Sequence, residues 1–494
     1  FVTGIYTYYA PLLDGLTYLL ISNLNSYPAV ISFITGSLHG IIYIGIFLLM
    51  SLFIPRKTKT DKFLFGTLFA YAVMGYSLLR QLGTSAHEID VAIIFIFALY
   101  LFFKNTFIDK KYSPKILCSI GGLIGIALGL KLTIFPMCFA LGVTALFCSL
   151  KKQFIYPIKT LVWLFIGSVF GLALTDGWWM YLTWKQTGNP IFPILNQIFK
   201  SPLFSTENTT DLRFMPKTIG QALFYPLYWA MGTEYVTDMD MPVYNIHAIL
   251  PFICALFLTG KIILGRVKSP SERAIIIFYN TAYVMWLIMF SILRYAVVLE
   301  ILSGIMIFLV IKSFRTIYKT LWGGFILLLA LLCPIGYPTF SLIVSKTYVP
   351  EPSITVSDDT VVMVAEDLSS IVVPFIHTTS PVLGWTASYF LDPIPQDPET
   401  ILTYKNILKG KKMMVVSLIK TNEVYQFYKT LNLSKIECHP LPQVFWGMQP
   451  VIMYSHRDTN GTYHGFEIPD EYLNQFLEQM TAVSFRERFY YKKQ

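Results

Sequence analysis

Apolar residues fill the first two-thirds of the chain in long blocks, each closed by a short polar or basic stretch. A helix that crosses a bilayer needs roughly 20 mostly apolar residues. Ten segments approach or exceed that length: Pro28–Phe53, Phe63–Leu82, Glu88–Phe103, Ile116–Leu130, Leu132–Leu150, Ile155–Leu174, Ile246–Leu264, Ala274–Ile292, Tyr295–Ile311 and Leu321–Val344. The pattern therefore predicts an α-helical polytopic membrane protein. After about Val344 the character changes. Short apolar runs, Val361–Ala365 and Met413–Leu418 among them, alternate with polar turns, and Thr421–Leu433 and Pro469–Val483 have the spacing of amphipathic helices. Strands alternating with helices predict a small α/β domain over 345–494.

The connections sort by charge. Arg56, Lys57, Lys59 and Lys62 fill one; Lys104, Lys110, Lys111 and Lys115 the next of the same side; then Lys151, Lys152 and Lys159; Lys261, Arg266, Lys268 and Arg273; and Lys312, Arg315 and Lys319. They alternate with turns that hold only Arg80, Lys131 and Arg294. Basic loops stay in the cytoplasm. That rule predicts an extracytoplasmic interfacial segment over 1–26, a helical domain over 27–344 with a long outer loop over 175–245, and an extracytoplasmic C-terminal α/β domain. Phe1 is then already outside, so a further span is expected upstream of it.

Composition narrows the class. Hydrophobic residues make up 54% and charged residues 14% of the 494 residues, and mean hydropathy is +0.56. A soluble domain carries about a quarter charged residues, which excludes an ordinary cytosolic enzyme and a disordered chain. The net charge of +9 is accounted for by orientation signals, without nucleic acid as a partner. Five of the six cysteines lie in apolar stretches, and only Cys438 falls in the polar C-terminal part. There they act as small hydrophobes, and no Cys-x-x-Cys pair or metal motif is present.

Ionisable groups in or beside a bilayer are costly and mark function by default. Arg80, His87, Glu88 and Asp90 surround the turn Gln81–Ala86. On one helix Glu88 and Asp90 point about 200° apart, so one cavity takes only one of them easily. They form either a substrate or proton-transfer cluster, or a hydrated helix N-terminus favoured by the dipole. Lys131, between two apolar helices, either snorkels to the interface or binds a phosphate. Arg294, next to Tyr295, either binds a phosphate through its fork or pairs internally with Glu300 or Asp176. In the long loop, Asp176, Trp178, Trp179 and Asn189 combine aromatic faces with polar groups that suit a sugar ring, whereas the tryptophans alone also fit an interface belt. Asp211, Arg213, Glu234, Asp238 and Asp240 add outward charge. Asp14 sits in an aromatic segment from Tyr6 that is too short to span, either catalytic or simply solvated.

As a set, Pro11-Leu12-Leu13-Asp14, Gly83-Thr84-Ser85 with Asp90, Gly129-Leu130-Lys131-Leu132-Thr133, Trp178-Trp179, Thr187-Gly188-Asn189-Pro190-Ile191-Phe192-Pro193 and Arg294-Tyr295 resemble bacterial polytopic glycosyltransferases of the GT-C type. The resemblance covers about Phe1–Val344. It implies transfer of a sugar from a polyprenyl-phosphate donor to an acceptor on the extracytoplasmic side of the bacterial inner membrane. Lys131 and Arg294 would then hold the lipid phosphate, and the remaining candidates Arg80, His87, Asp176, Trp178, Trp179, Asn189 and Tyr295 would line the substrate site. Family members carry a catalytic carboxylate in the first outer loop. That region is expected upstream of Phe1, leaving Asp14, Glu88 and Asp90 as weaker candidates. No cofactor is required, although some relatives use a divalent cation. Two other classes compete: a transporter or flippase for a lipid-linked saccharide, which calls for an internal repeat not found in the sequence, and a non-catalytic membrane scaffold. Membrane lipids are partners in every case.

Overall fold

The computed structural model describes residues 9–24, 27–84, 86–110, 113–148, 157–201, 214–231, 245–312 and 314–333, and in the C-terminal part 354–364, 376–384, 406–417, 438–440, 452–454, 456–460 and 462–467. The chain divides into two compact units. One comprises Leu12–Trp179 with Thr210–Thr339; the other comprises Phe1–Pro11, Met180–Thr209 and Phe340–Gln494.

The first unit is helical throughout its described residues. Among the described residues, four helices are long and apolar enough to cross a membrane: Ala29–Ser51, Glu88–Ile108, Ile158–Thr187 and Ile246–Ile263. A fifth is reached if Leu293–Ile301 and Ser303–Ile311, bent by 43°, count as one. This corrects the expected ten. Pro114–Leu130, Leu132–Phe147 and Thr316–Leu332 are apolar but shorter, and the segment 63–82 is not one helix. It breaks into Lys59–Val73 and Tyr76–Gln81. The first piece begins with a capping box, in which Thr58 and Asp61 exchange side-chain to backbone hydrogen bonds. The second begins at Gly75, where any Cβ would collide with the Glu300 side chain. The freed N–H groups of Ser77 and Leu78 donate to Glu300 Oε2 at 2.8 and 3.3 Å, and the Ser77 hydroxyl donates to Oε1 at 3.0 Å. A carboxylate from far along the chain thus satisfies donors that a helix start leaves open.

Two helices pack with almost no side chain between them. Pro114–Leu130 and Pro157–Leu172 run parallel, with Gly121, Gly125 and Gly129 on one facing Gly167, Gly171 and Thr175 on the other. A Cβ at Gly121 or Gly125 would overlap the carbonyl oxygen of Leu164 or Ser168; at Gly167 or Gly171 it would overlap that of Cys118 or Gly122. Small residues every fourth position are what lets helices associate by van der Waals contact in lipid, where apolar burial gives no drive. Phe165 and Phe170 on the second of these helices, and Phe33 and Ile263 on others, are exposed, apolar surface that fits a bilayer environment. Inside, Tyr71 and His247 exchange bonds to each other's carbonyls at 2.7 and 2.6 Å, with their rings stacked at 4.3 Å. Trp286 donates to Ile292 O at 2.9 Å and packs on Tyr225 and Trp229.

In the C-terminal part the structure describes β1 (Ile354–Thr355), β2 (Thr360–Val364), β3 (Ile376–His377), β4 (Val382–Gly384), β5 (Lys412–Ser417), β6 (Cys438–Pro440), β7 (Ile452–Tyr454), β8 (His456–Arg457), β9 (Tyr463–His464) and β10 (Phe466–Glu467). The main sheet has the order β4-β2-β5-β7-β6, and β10 also pairs with β5. β2 runs parallel to β4 and β5, in register Val362 to Val382 and Val362 to Met414, while β7 and β10 run antiparallel to β5. Val361 and Val362 are both fully buried, so both faces of β2 are covered, as the parallel part of a sheet requires. The expected strands at 361–365 and 413–418 are therefore present. The helices expected at 421–433 and 469–483 lie outside the described residues.

Candidate functional site

The helix Pro114–Leu130 ends abruptly. Lys131 adopts φ −159° and ψ 118°, an extended residue before the short turn Leu132–Ile134. Its side chain does not snorkel away. Lys131 Nζ pairs with Glu88 Oε1 at 2.8 Å and donates to the Ala86 carbonyl. Glu88 opens the helix Glu88–Phe103, where the dipole favours an acid, and is only 4% exposed. Arg294 reaches the same oxygen from the turn Leu293–Ala296, its Nε 3.8 Å from Glu88 Oε1. The guanidinium lies over the Tyr295 ring, 5.1 Å from its centroid, and donates to the Tyr295 hydroxyl at 3.1 Å. Gln81 Nε2 donates to the Arg294 carbonyl at 3.0 Å and fixes that turn. Three segments far apart in sequence thus deliver two cations and one buried carboxylate to one place, with an excess of one positive charge. The internal pairing of Arg294 with Glu300 or Asp176 is not what forms: Glu300 is held by Ser77 and Leu78.

Asp90 points the other way from Glu88, as the two-residue spacing requires. It joins a chain of four side chains. Gly83 N–H donates to His39 Nδ1 at 2.9 Å, so the proton of a neutral His39 ring sits on Nε2 and faces Asp90 Oδ1 at 3.3 Å. Asp90 Oδ2 takes His87 Nδ1 at 2.8 Å, and His87 Nε2 faces Asp14 Oδ1 at 3.2 Å. His87 itself sits at φ 62° and Gly83 at φ 75°, both in the left-handed region. Burial of the His87 ring opposes its charge, but the bonds to Asp14 and Asp90 outweigh it and raise its pKa to about 9. His39 and Gln81 were not singled out from the sequence. A lone histidine in an otherwise apolar helix was the available signal.

None of the protein-family models, curated proteins or solved structures with which the chain was compared matches it.

The remaining candidates disperse. Arg80 rests over the Tyr76 ring on its own short helix and donates to the Tyr76 hydroxyl at 3.2 Å. Asp176 lies in a π-helical turn, Ala173–Gly177, and is 5% exposed. Trp178 and Trp179 meet edge to face at 5.3 Å just beyond it. Asn189 turns its amide on its own loop: the oxygen accepts from Ile191 N–H and the nitrogen donates to Ile194 O, both at 3.0 Å. Its geometry is that of a loop organiser. Asp14 is largely solvated apart from His87. Among the described residues, no group of three or more His, Cys, Asp or Glu side chains is arranged to hold a metal ion.

The raised His87 pKa has a stability consequence. A ring that binds its proton more tightly when folded stabilises the fold below its unfolded pKa of about 6.5, and that contribution is lost as pH rises through about 9. The expected loss is about 2 kcal/mol between pH 6.5 and 10, screening by solvent at the exposed Asp14 having been allowed for. Thermal unfolding of wild type against His87→Gln across that range checks it: the two curves should converge at high pH. Parallel curves would show that His87 carries no such charge.

Proposed function

We propose that this protein is a membrane glycosyltransferase that moves a sugar from a polyprenyl-phosphate donor to an acceptor on the extracytoplasmic side. The observation that carries the reading is the convergence of Lys131 and Arg294 on Glu88. Two cations held on one acid keep a net positive charge that a phosphate can answer, with a planar fork for two oxygens and a point charge for a third. In the reaction, the acceptor hydroxyl attacks the anomeric carbon while a carboxylate takes its proton. The bond from that carbon to the phosphate oxygen breaks, and the cations stabilise the charge that develops on the departing lipid phosphate. The basic loops lie on the cytoplasmic side of the bacterial inner membrane in this reading, and the C-terminal domain lies outside.

Two measurements test it. Purified protein incubated with polyprenyl-phosphate hexoses and a membrane extract as acceptor source should release polyprenyl phosphate and transfer the sugar. Donor that binds and crosses the bilayer without losing its sugar would instead identify a flippase, and protein inert in both assays would identify a scaffold. Reporter fusions after Lys62 and after Lys115 should read cytoplasmic, and one after Gln494 external. A cytoplasmic C-terminus overturns the assignment of sides.

A further inference from the structure

Basic side chains from two segments far apart in sequence meet at one end of the helical unit. Arg56, Lys57, Lys59 and Lys62 surround the start of the helix Lys59–Val73, and Arg315 and Lys319 mark the start of Thr316–Leu332. The two helices lie side by side and begin together. A Cβ at Gly323 would fall 2.8 Å from the Phe63 ring and 3.7 Å from Thr67 Oγ1. One turn earlier, bonds from Thr58 hold the Asp61 carboxyl below its usual pKa, and the charges of Lys319 and Lys57 add to this. Arg56 is anchored with its guanidinium 4.8 and 5.0 Å from the centroids of the Phe47 and Phe65 rings. Among the described residues none of these six cations lies in an ion pair, whereas Lys312, between the two groups in character, is taken by Glu272. The helix Thr316–Leu332 has no side-chain cap, so its first N–H groups add to the positive field. Beside these charges Tyr318, Leu321, Trp322 and Phe325 are exposed, at a spacing that sets them along one face of the helix. Phe63 is exposed on the neighbouring helix. Aromatic rings between basic and aliphatic residues are the pattern of headgroup level in a bilayer.

We infer that the starts of these two helices form a binding site for an anionic phospholipid, with its headgroup phosphate among the six cations and its acyl chains along the exposed stripe. An orientation signal needs basic residues in a loop. It does not need two distant loops to converge on one patch. Basic clusters of this size at the ends of membrane helices hold anionic headgroups, and each Lys or Arg adds to the attraction. A free phosphate would answer the charge but leave the apolar stripe unused; a lipid uses both. The site lies on the side assigned above to the cytoplasm, and it is independent of any transfer reaction.

The test uses the full chain in a neutral detergent, with binding of the first lipid measured by native mass spectrometry. Wild type should take phosphatidylglycerol and cardiolipin about tenfold or more tightly than phosphatidylcholine. Lys62→Gln with Lys319→Gln should lose about tenfold for the anionic lipids and keep its affinity for phosphatidylcholine. Lys115→Gln with Lys159→Gln removes the same charge from the starts of two other helices, Pro114–Leu130 and Pro157–Leu172. That variant should lose about twofold or less. Equal binding of the three lipids by wild type overturns the inference. An equal loss in the two double variants also overturns it, because the attraction then belongs to the basic surface as a whole. Displacement of the bound lipid by an equimolar amount of glycerol phosphate overturns it too, because the acyl chains then contribute nothing. If Lys62→Gln with Lys319→Gln does not fold, Lys57→Gln with Arg315→Gln, both at exposed positions of the same patch, is read by the same criteria.

Discussion

Alanine at Lys131, or at Arg294, is expected to reduce sugar transfer from a polyprenyl-phosphate donor by about 10²–10³-fold, the loss typical of removing one preorganised group aimed at developing charge. The mechanism predicts a fall in kcat as well as a rise in KM, because the phosphate gains charge only as the anomeric bond breaks. A complication arises from Glu88. Without Lys131, a buried acid loses its 2.8 Å partner and keeps only Arg294 at 3.8 Å, and breaking such a buried pair costs up to about 3 kcal/mol. The double variant Lys131→Ala with Glu88→Gln removes both charges together. It should recover most of the thermal stability lost in Lys131→Ala and none of the transfer. Arg294→Lys keeps the charge but loses the fork, and should fall between alanine and wild type. Full activity in both single alanine variants removes the phosphate site, whatever their stability.

The sequence makes the presence of these groups legible but not their partners. Glu88–Phe103 is readable to the residue, because an acid at the start and a continuous apolar run mark both ends of the helix. An acid, a lysine and an arginine next to apolar runs are equally visible, since polar groups are expensive there. That Lys131 and Arg294 share Glu88, and that Glu300 instead serves Ser77 and Leu78, is a tertiary fact that no local pattern encodes. The same holds for the break at Gly75: 63–82 reads as one apolar run, yet the Glu300 side chain occupies the space a continuous helix with a Cβ there would fill. The span count erred for a related reason. Hydropathy registers apolar runs such as 116–130 and 321–344, whereas crossing a membrane also depends on where each helix starts and stops. His39 escaped notice because its partner Asp90 lies on another helix.

The glycine seam supports the second large expected effect. Gly125→Val should leave no folded protein, measured as loss of the monodisperse species after detergent extraction. The contact it would break is not with a flexible side chain. The new Cβ falls on the Ser168 carbonyl oxygen and crowds Leu172 N, both main-chain atoms of a neighbouring helix. Neither can give way unless the whole helix retreats, and the matching collisions at Gly121, Gly167 and Gly171 lie along the same line. Separation of the pair would forfeit contacts over more than two turns, a loss of about 4–5 kcal/mol or more, as for the most damaging single substitutions. Gly142→Ala is the control. Nothing lies within 4 Å of its Cβ position, and it sits inside the helix Phe135–Cys148, so it should stabilise by about 0.5–1 kcal/mol. If Gly125→Val folds as well as Gly142→Ala, the close approach of the two helices is refuted. The seam also matters to the site. It ends at Gly129 against Thr175 and Asp176, two residues before Lys131, so a partial loosening by Gly129→Ala should shift Lys131 and depress ligand binding before it depresses stability.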